Sequence, residues 1–238
     1  MEHTQLNILV TGASRGIGHA IVETLNARGA NVIGHATSSP NLLIADLAVD
    51  GAAAILWQSA LDHFGGRIDV LINNAGVFEA NPLDDSDQSW IANWDRTLKI
   101  NLSASTELAR LAVLHWQAGA ANGRIVNIAS RAAHRGDSPD HWHYAASKGA
   151  MVSLTKTIAR GYAAQGIYAF AICPGFTMTG MAEDYLSSRG GEKLLTDIPL
   201  GRVADPHEIA TMAAFCALDA PPSMTGAVLD VNGASYVR

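Results

Sequence analysis

Seven short apolar runs alternate with longer segments of helical pattern, and no other feature of the chain restricts its fold as much. The runs are Ile8 to Val10, Asn31 to Ile33, Leu42 to Ala45, Val70 to Ile72, Arg124 to Ile128, Tyr168 to Ile172 and Ala227 to Val231. Helical patterns lie at about Gly16 to Arg28, Gly51 to Phe64, Asp87 to Ala118, Tyr144 to Gln165 and Asp205 to Leu218. Strands that are mostly apolar, with no regular polar alternation, are buried on both faces, so the order predicts an α/β fold: a doubly wound parallel sheet with helices on both sides. Ligands of such sheets sit beyond the carboxyl ends of the strands. One connection departs from the pattern. Only Thr37 to Asn41 separates the second run from the third, and a parallel crossover ordinarily takes a dozen or more residues. Five extended residues reach roughly 17 Å, so the sequence predicts an extended strap there, with Pro40 in it and no helix.

The composition, 48% apolar and 16% charged, suits a buried parallel sheet and leaves apolar surface for self-association. A net charge of -6 gives nucleic acid no reason to bind. No apolar run approaches the ~18 residues of a membrane span, and the first strand run starts too early to leave room for a signal peptide, so the expectation is a cytoplasmic protein. Cys173 and Cys216 have no CxxC or metal spacing and read as reduced packing residues. The alternate histidines His141 and His143, with Asp137 or Asp140 near, lack further ligands at metal spacing, and no metal is expected.

Two local patterns carry chemistry. After the first run comes Thr11-Gly12-Ala13-Ser14-Arg15-Gly16-Ile17-Gly18, leading straight into a helix. Glycines there admit positive φ and let backbone amides approach a pyrophosphate at a helix N-terminus, which points to a dinucleotide. An NAD site usually carries an acid about 20 residues beyond the glycines to bind the ribose 2′-hydroxyl. Here no Asp or Glu occurs from Thr24 through Ala45. Arg15 stands in the turn, and Thr37, Ser38 and Ser39 follow the second run, a set suited to a 2′-phosphate. NADP is therefore favoured, with NAD the alternative if His35 takes the acid's place. The second pattern is Tyr144 and Lys148, four residues apart and so one helical turn apart on one face. An ammonium beside a phenol favours the phenolate, which predicts a tyrosine acidic enough to exchange protons.

Together with these patterns, Asp46-Leu47, Asn73-Asn74-Ala75-Gly76, Asn101, Ser130 and Pro174-Gly175-Phe176-Thr177-Met178-Thr179 resemble the short-chain dehydrogenase/reductase family. The resemblance runs from residue 6 to Val231-Asn232-Gly233-Ala234-Ser235-Tyr236. It implies one Rossmann-type domain of about seven strands, with residues 6–130 mainly binding dinucleotide and 130–200 forming the catalytic part and substrate lid. It implies hydride exchange between a small ketone or alcohol and NADP or NAD, in a homotetramer or homodimer. By the same resemblance Tyr144 is the general acid/base, Lys148 lowers its pKa and binds the nicotinamide ribose, Ser130 holds the substrate oxygen, and Asn101 positions a water. Gly12, Ser14, Arg15, Ile17 and Gly18 would line the phosphates, with Asp46 and Leu47 at the adenine and Thr37 at the ribose phosphate. Asn74, Ala75 and Gly76 would line the ribose, and Pro174, Gly175, Thr177 and Thr179 would orient the carboxamide. Asn73 reads as structural. The glycine turn, Gly34-His35-Ala36-Thr37-Ser38 and Val231 to Tyr236 resemble those of 3-oxoacyl-[acyl-carrier-protein] reductases, yet Gln117 to Gly123 and Ala163 to Tyr168 lack the basic residues expected to dock an acidic carrier. Donors gather instead beside Ser130, with Arg131, Arg135, His134, His141 and His143, as would suit a polyol, a sugar-like ketone or an anionic ketone. Met181, with Met178 and Tyr185, is a candidate contact from the lid.

Overall fold

The computed structural model describes residues 5–178 and 195–238; Thr179, Met181 and Tyr185 lie outside the described residues. Among the described residues the chain forms β1 (Asn7–Val10), α1 (Gly16–Ala27), β2 (Asn31–Ala36), β3 (Leu43–Ile44), α2 (Ala52–His63), β4 (Val70–Asn73), α3 (Asp87–Leu98) and α4 (Ala104–Ala118), then β5 (Gly123–Ile128), α5 (Ala132–Arg135), α6 (Trp142–Tyr162), β6 (Ile167–Pro174), α7 (Pro206–Ala214) and β7 (Val228–Val231). The strands pair in the order β3-β2-β1-β4-β5-β6-β7, every neighbour parallel. The chain winds outward from β1 to β3 and returns to β4 on the other side of β1, which makes the β1–β4 border the switch point where such sheets open a crevice.

Successive residues of one strand feed opposite faces. Ile8 and Val10 pack with Ile21 and Leu25 of α1 and Ile209, Ala210 and Ala213 of α7. Leu9, Leu71 and Ile125 pack with Leu56 and Trp57 of α2 and Leu108 and Trp116 of α4. Both faces are covered by helices, so the apolar runs have no polar side to show, as the sequence pattern requires.

The strap between β2 and β3 carries no helix, as expected, and the reason is geometric. β3 is two residues long and its register is His35↔Leu43 and Ala36↔Ile44, so the chain backs up by only about one residue to pair in parallel. The stretch Asp87 to Ala118, expected as one helix, is interrupted by a π-helical turn at Lys99–Ser103. The extra residue in that turn turns Asn101 inward, where its Oδ1 accepts from the Val77 N–H at 2.8 Å and its Nδ2 donates to the Val77 carbonyl at 3.0 Å. A further element not expected from sequence is α5, one turn of helix right after Ser130.

Trp116 is fully buried and its Nε1 donates to the Ile68 carbonyl at 2.6 Å. The indole lies flat against Gly123 at the start of β5, where an added Cβ would run into the ring. Gly123→Ala is therefore expected to destabilise the fold by about 1–3 kcal/mol, read as a lower urea midpoint at unchanged m-value.

Candidate active site

The turn after β1 is shaped by contact with the end of β4. Gly12 has φ +67°, and a Cβ on it would come within 2.7 Å of the Ala75 Cα; one on Gly18 would collide with the Gly12 carbonyl. Asn74 Nδ2 donates to the carbonyls of Thr11 and Gly12 at 3.0 and 2.9 Å. The Thr11 hydroxyl accepts from the backbone N–H of Asn74 and of Ala75, both at 3.0 Å. Asn74 and Ala75 thus clamp the turn, and Gly12 and Gly18 leave its backbone bare. Beneath lies His35, 2% exposed. Its Nδ1 accepts from the Gly12 N–H at 3.3 Å and its Nε2 bonds the Ala45 carbonyl at 2.9 Å, so the proton sits on Nε2. Burial holds the ring below the usual histidine range, and it supports the turn from below as a neutral group.

Ser14, Arg15 and Thr37 are exposed around the mouth of this turn, and Ile17 half-buried behind it. Asp46 is exposed and accepts from the Ala48 N–H at 3.0 Å, a loop cap. Leu47 is 4% exposed and packs with α2 in the core. Asn73 is structural as expected: its Nδ2 donates to Asn127 Oδ1 at 2.9 Å, and Asn127 passes on to the Thr155 hydroxyl at 2.8 Å.

The first turns of α6 carry Tyr144 and Lys148 toward the carboxyl ends of β4 and β5. Lys148 is 4% exposed. Its Nζ donates to the Ile128 carbonyl at 2.9 Å and lies 5.8 Å from the Tyr144 ring centre. Ser130 is hydrogen-bonded to the Tyr144 hydroxyl, and its own oxygen accepts from the Ala132 N–H at 3.1 Å, so α5 fixes the serine. Asn101 reaches the same place through Ser147, whose Oγ accepts from Asn101 Nδ2 at 3.4 Å and donates to the Tyr144 carbonyl at 2.7 Å. Gly76 faces both Asn101 and Lys148: a Cβ there would stand 3.2 Å from Asn101 Oδ1 and 3.5 Å from Lys148 Nζ.

The electrostatics of the pair depart from the expectation of a readily ionised tyrosine. Burial pushes the Tyr144 hydroxyl up to about 12, against the opposing hydrogen bond of Ser130, and pushes Lys148 down to about 8. Loss of water acts against charge on both groups, and the ammonium sits over the ring with no direct bond to the phenolic oxygen. The chain by itself holds a neutral phenol beside a weakened cation.

Pro174 closes β6, Gly175 presses on Asn232, and Thr177 donates to the Gly175 carbonyl at 3.2 Å. These residues border the same opening.

The donors after Ser130 do not form one cluster. Arg131, expected as a donor to substrate, is 8% exposed; its guanidinium lies 4.7 Å over the Phe176 ring, and its Nη1 has no hydrogen-bond partner among the described residues. Arg135 is exposed and pairs with Asp197 at 3.4 Å. His141 stacks on Phe78 at 4.0 Å and bonds Ser138, and Phe78 meets Tyr144 edge-on at 4.8 Å. His143 is buried beside Trp94 with neither ring nitrogen partnered among the described residues. Trp142, 54% exposed, packs edge-on against Trp90. Phe78, which walls Tyr144, carried no sequence signal beyond its place after β4.

A family model described as enoyl-(acyl carrier protein) reductase matches residues 12–234. The chain belongs to the short-chain dehydrogenase/reductase family. The 3-oxoacyl-[acyl-carrier-protein] reductase FabG of Vibrio cholerae is 36% identical over 242 residues, covering 96% of both chains, and that of Escherichia coli is 37% identical over 241 residues with the same coverage. Among solved structures, a provisionally assigned 2-deoxy-d-gluconate 3-dehydrogenase from Agrobacterium tumefaciens with bound NADP superposes with a TM-score of 0.87 at 31% identity, covering 98% of this chain and 97% of that one. A 4-hydroxyisoleucine dehydrogenase complexed with NADH gives the same TM-score at 28% identity, covering 96% and 98%. As in its relatives, the fold of this short-chain dehydrogenase/reductase is the seven-stranded parallel sheet, and the chain is an oxidoreductase of the CH-OH class. No helix among the described residues is long and apolar enough to cross a membrane.

A buried lysine destabilises the fold that holds it. Its folded-state pKa lies below its unfolded value, so the cost is full below pH 8 and fades as pH rises from 8 toward 10.5. Lys148→Met is expected to stabilise the nucleotide-free protein at pH 7 by roughly 1–3 kcal/mol, with the gain in melting temperature shrinking by pH 10; an equal gain at both pH values contradicts this account.

Proposed function

We propose that this short-chain dehydrogenase/reductase interconverts a ketone and a secondary alcohol with NADP as the preferred cofactor and Tyr144 as the general acid/base. The observation that carries the reading is the Tyr144 hydroxyl held on Ser130 one turn from the buried Lys148 ammonium, beside a turn whose bare backbone suits a pyrophosphate. The residues fit a dinucleotide: Gly12 and Gly18 have no room for a Cβ against Ala75 and the Gly12 carbonyl, so the turn stays tight and carries no side chain at either position, and α1 starts directly after it. A bound nicotinamide supplies or takes the hydride and, when oxidised, adds positive charge near the phenol. In the reduction Ser130 binds the ketone oxygen and Tyr144 gives it a proton; in the oxidation Tyr144 takes the proton from the alcohol. Lys148 binds the ribose hydroxyls and its charge favours the phenolate, offsetting part of the burial that keeps Tyr144 neutral. Asn101 keeps the first turn of α6 in place through Ser147 and positions a water toward Lys148.

Charge at the ribose supports NADP over NAD. Arg15, Ser14 and Thr37 are exposed there, and the nearest acid, Asp46, is engaged by the Ala48 amide. For the substrate, the buried Arg131, whose Nη1 has no partner among the described residues, and the His141–Phe78 wall support a small polar or anionic ketone. A second reading, a 3-oxoacyl thioester reductase, is supported by identity to the FabG proteins, against the absence of basic residues where a carrier would dock. Assembly into a homodimer or homotetramer through α4 and α6 belongs to the same proposal.

Tyr144→Phe is expected to bind NADP with unchanged affinity, followed by nucleotide fluorescence, and to lose turnover by roughly 10²–10⁴-fold. Retained turnover overturns the role of the phenol. Because the phenolate is the base, alcohol oxidation should rise with pH. Lys148→Met should move that rise to higher pH and leave ketone reduction less affected, measured as kcat/KM against pH in both directions. A panel of small sugar-like and anionic ketones against a 3-oxoacyl thioester, with NADPH and NADH in parallel, separates the two substrate readings.

A further inference from the structure

Cys173, His134 and Asp230, dispersed in the sequence, meet on the side of β6 away from the glycine turn. Cys173 and Asp230 are register partners on neighbouring parallel strands, so the sheet itself aims both side chains to one face. His134 comes in from the end of α5, with its Nε2 3.6 Å from the Cys173 sulfur. One donor atom from each of the three lies within 4.8 Å of the others. Ligands on a tetrahedral zinc at its usual bond lengths of 2.0–2.3 Å stand roughly 3.3–3.8 Å apart, so the widest pair of the cluster needs to close by roughly 1–1.5 Å.

We propose that His134, Cys173 and Asp230 form a metal site of three protein ligands, with Zn²⁺ the ion their nitrogen, sulfur and oxygen donors suit. Thiolate and imidazole together select zinc over the hard cations. Asp230 borders an open cavity of about 510 Å³, lined also by Val231, Asn232, Tyr236 and Arg238, from which water completes the tetrahedron. The His134 ring is stacked parallel to Tyr236 at 5.9 Å, which fixes its plane. Asp230 is paired with Arg238 at 2.9 Å; the pair is half-exposed, worth about 0–1 kcal/mol, and the metal displaces the guanidinium. On binding, the Cys173 thiol releases its proton to solvent and the sulfur lone pair goes to the metal, with no change of oxidation state. The site ties α5 to β6 and β7.

Cobalt serves as the probe, because a thiolate ligand gives a near-ultraviolet charge-transfer band on Co²⁺ that oxygen and nitrogen ligands do not. Chelator-treated protein titrated with Co²⁺ is expected to develop that band with one equivalent bound, and Zn²⁺ to bleach it and raise the melting temperature. Cys173→Ala should abolish the band. His134→Gln and Asp230→Asn, both on the accessible side of the cluster, should weaken binding by roughly 10–100-fold, as loss of a direct ligand costs no less than loss of its supporting partner. No band at stoichiometric Co²⁺, or a band that survives Cys173→Ala and disappears in Cys216→Ala, overturns the proposal. So does a band whose affinity is unchanged in both His134→Gln and Asp230→Asn.

Discussion

The close approach of two backbones at the border of β1 and β4 governs the geometry of everything at the carboxyl edge of the sheet. Gly12 rests on Ala75 and Gly18 on Gly12 with no room for a Cβ at either. Asn74 and Thr11 lock the contact with four hydrogen bonds between 2.9 and 3.0 Å. These bonds are made by one strand's end to the other's, so the turn takes its shape from β4 and only secondarily from its own residues. Val77 follows directly, and its peptide is held on both sides by Asn101 from the π-helical turn. Asn101 in turn touches Ser147, and Ser147 the Tyr144 carbonyl. A continuous set of short polar contacts therefore runs from the glycine turn to the helix that carries the tyrosine.

That helix imposes an electrostatic cost. Burial moves Tyr144 and Lys148 in opposite senses, toward about 12 and about 8, which places both nearer their neutral forms than free side chains would be. A site built for stability alone would not bury an amine with one carbonyl, that of Ile128, as its partner among the described contacts. The cost is the kind expected where function, and not folding, has set the residue. It also means that the ionisation of the phenol depends on what else is brought into the opening, since the chain's own cation makes no direct bond to the hydroxyl.

Much of the architecture was legible because it rests on period and spacing. Apolar runs such as Ile8 to Val10 and Arg124 to Ile128, short and set between helical patterns, read as interior strands, and Tyr144 and Lys148 share a helical face by arithmetic. What escaped was whatever depends on contacts between distant parts. The π-helical turn at Lys99–Ser103 breaks a segment whose propensities are unbroken, because its cause is the pairing of Asn101 with Val77. The five donors around Ser130, Arg131 to His143, look like one cluster in sequence, but α5 and the first turn of α6 send them in separate directions: Arg131 under Phe176, Arg135 to Asp197, His141 onto Phe78. Leu47 reads as a ligand contact by position and is core by packing. Cys173 read as filler because no histidine stands near it in sequence, while the fold brings His134 to 3.6 Å.

Strand β6 explains why that last contact lies so near the reactive end of the molecule. Consecutive residues of a strand project to opposite faces, so Cys173 and Pro174 point to different sides while sharing a backbone. Pro174 accepts from the Arg131 N–H at 2.9 Å, and Ala129 donates to the Ile172 carbonyl at 2.7 Å. Ser130 is therefore held between two backbone bonds to β6 that bracket Cys173, and its peptide also hydrogen-bonds the sulfur. The loop that carries Ser130 thus takes its position from the same stretch of β6 that carries Cys173.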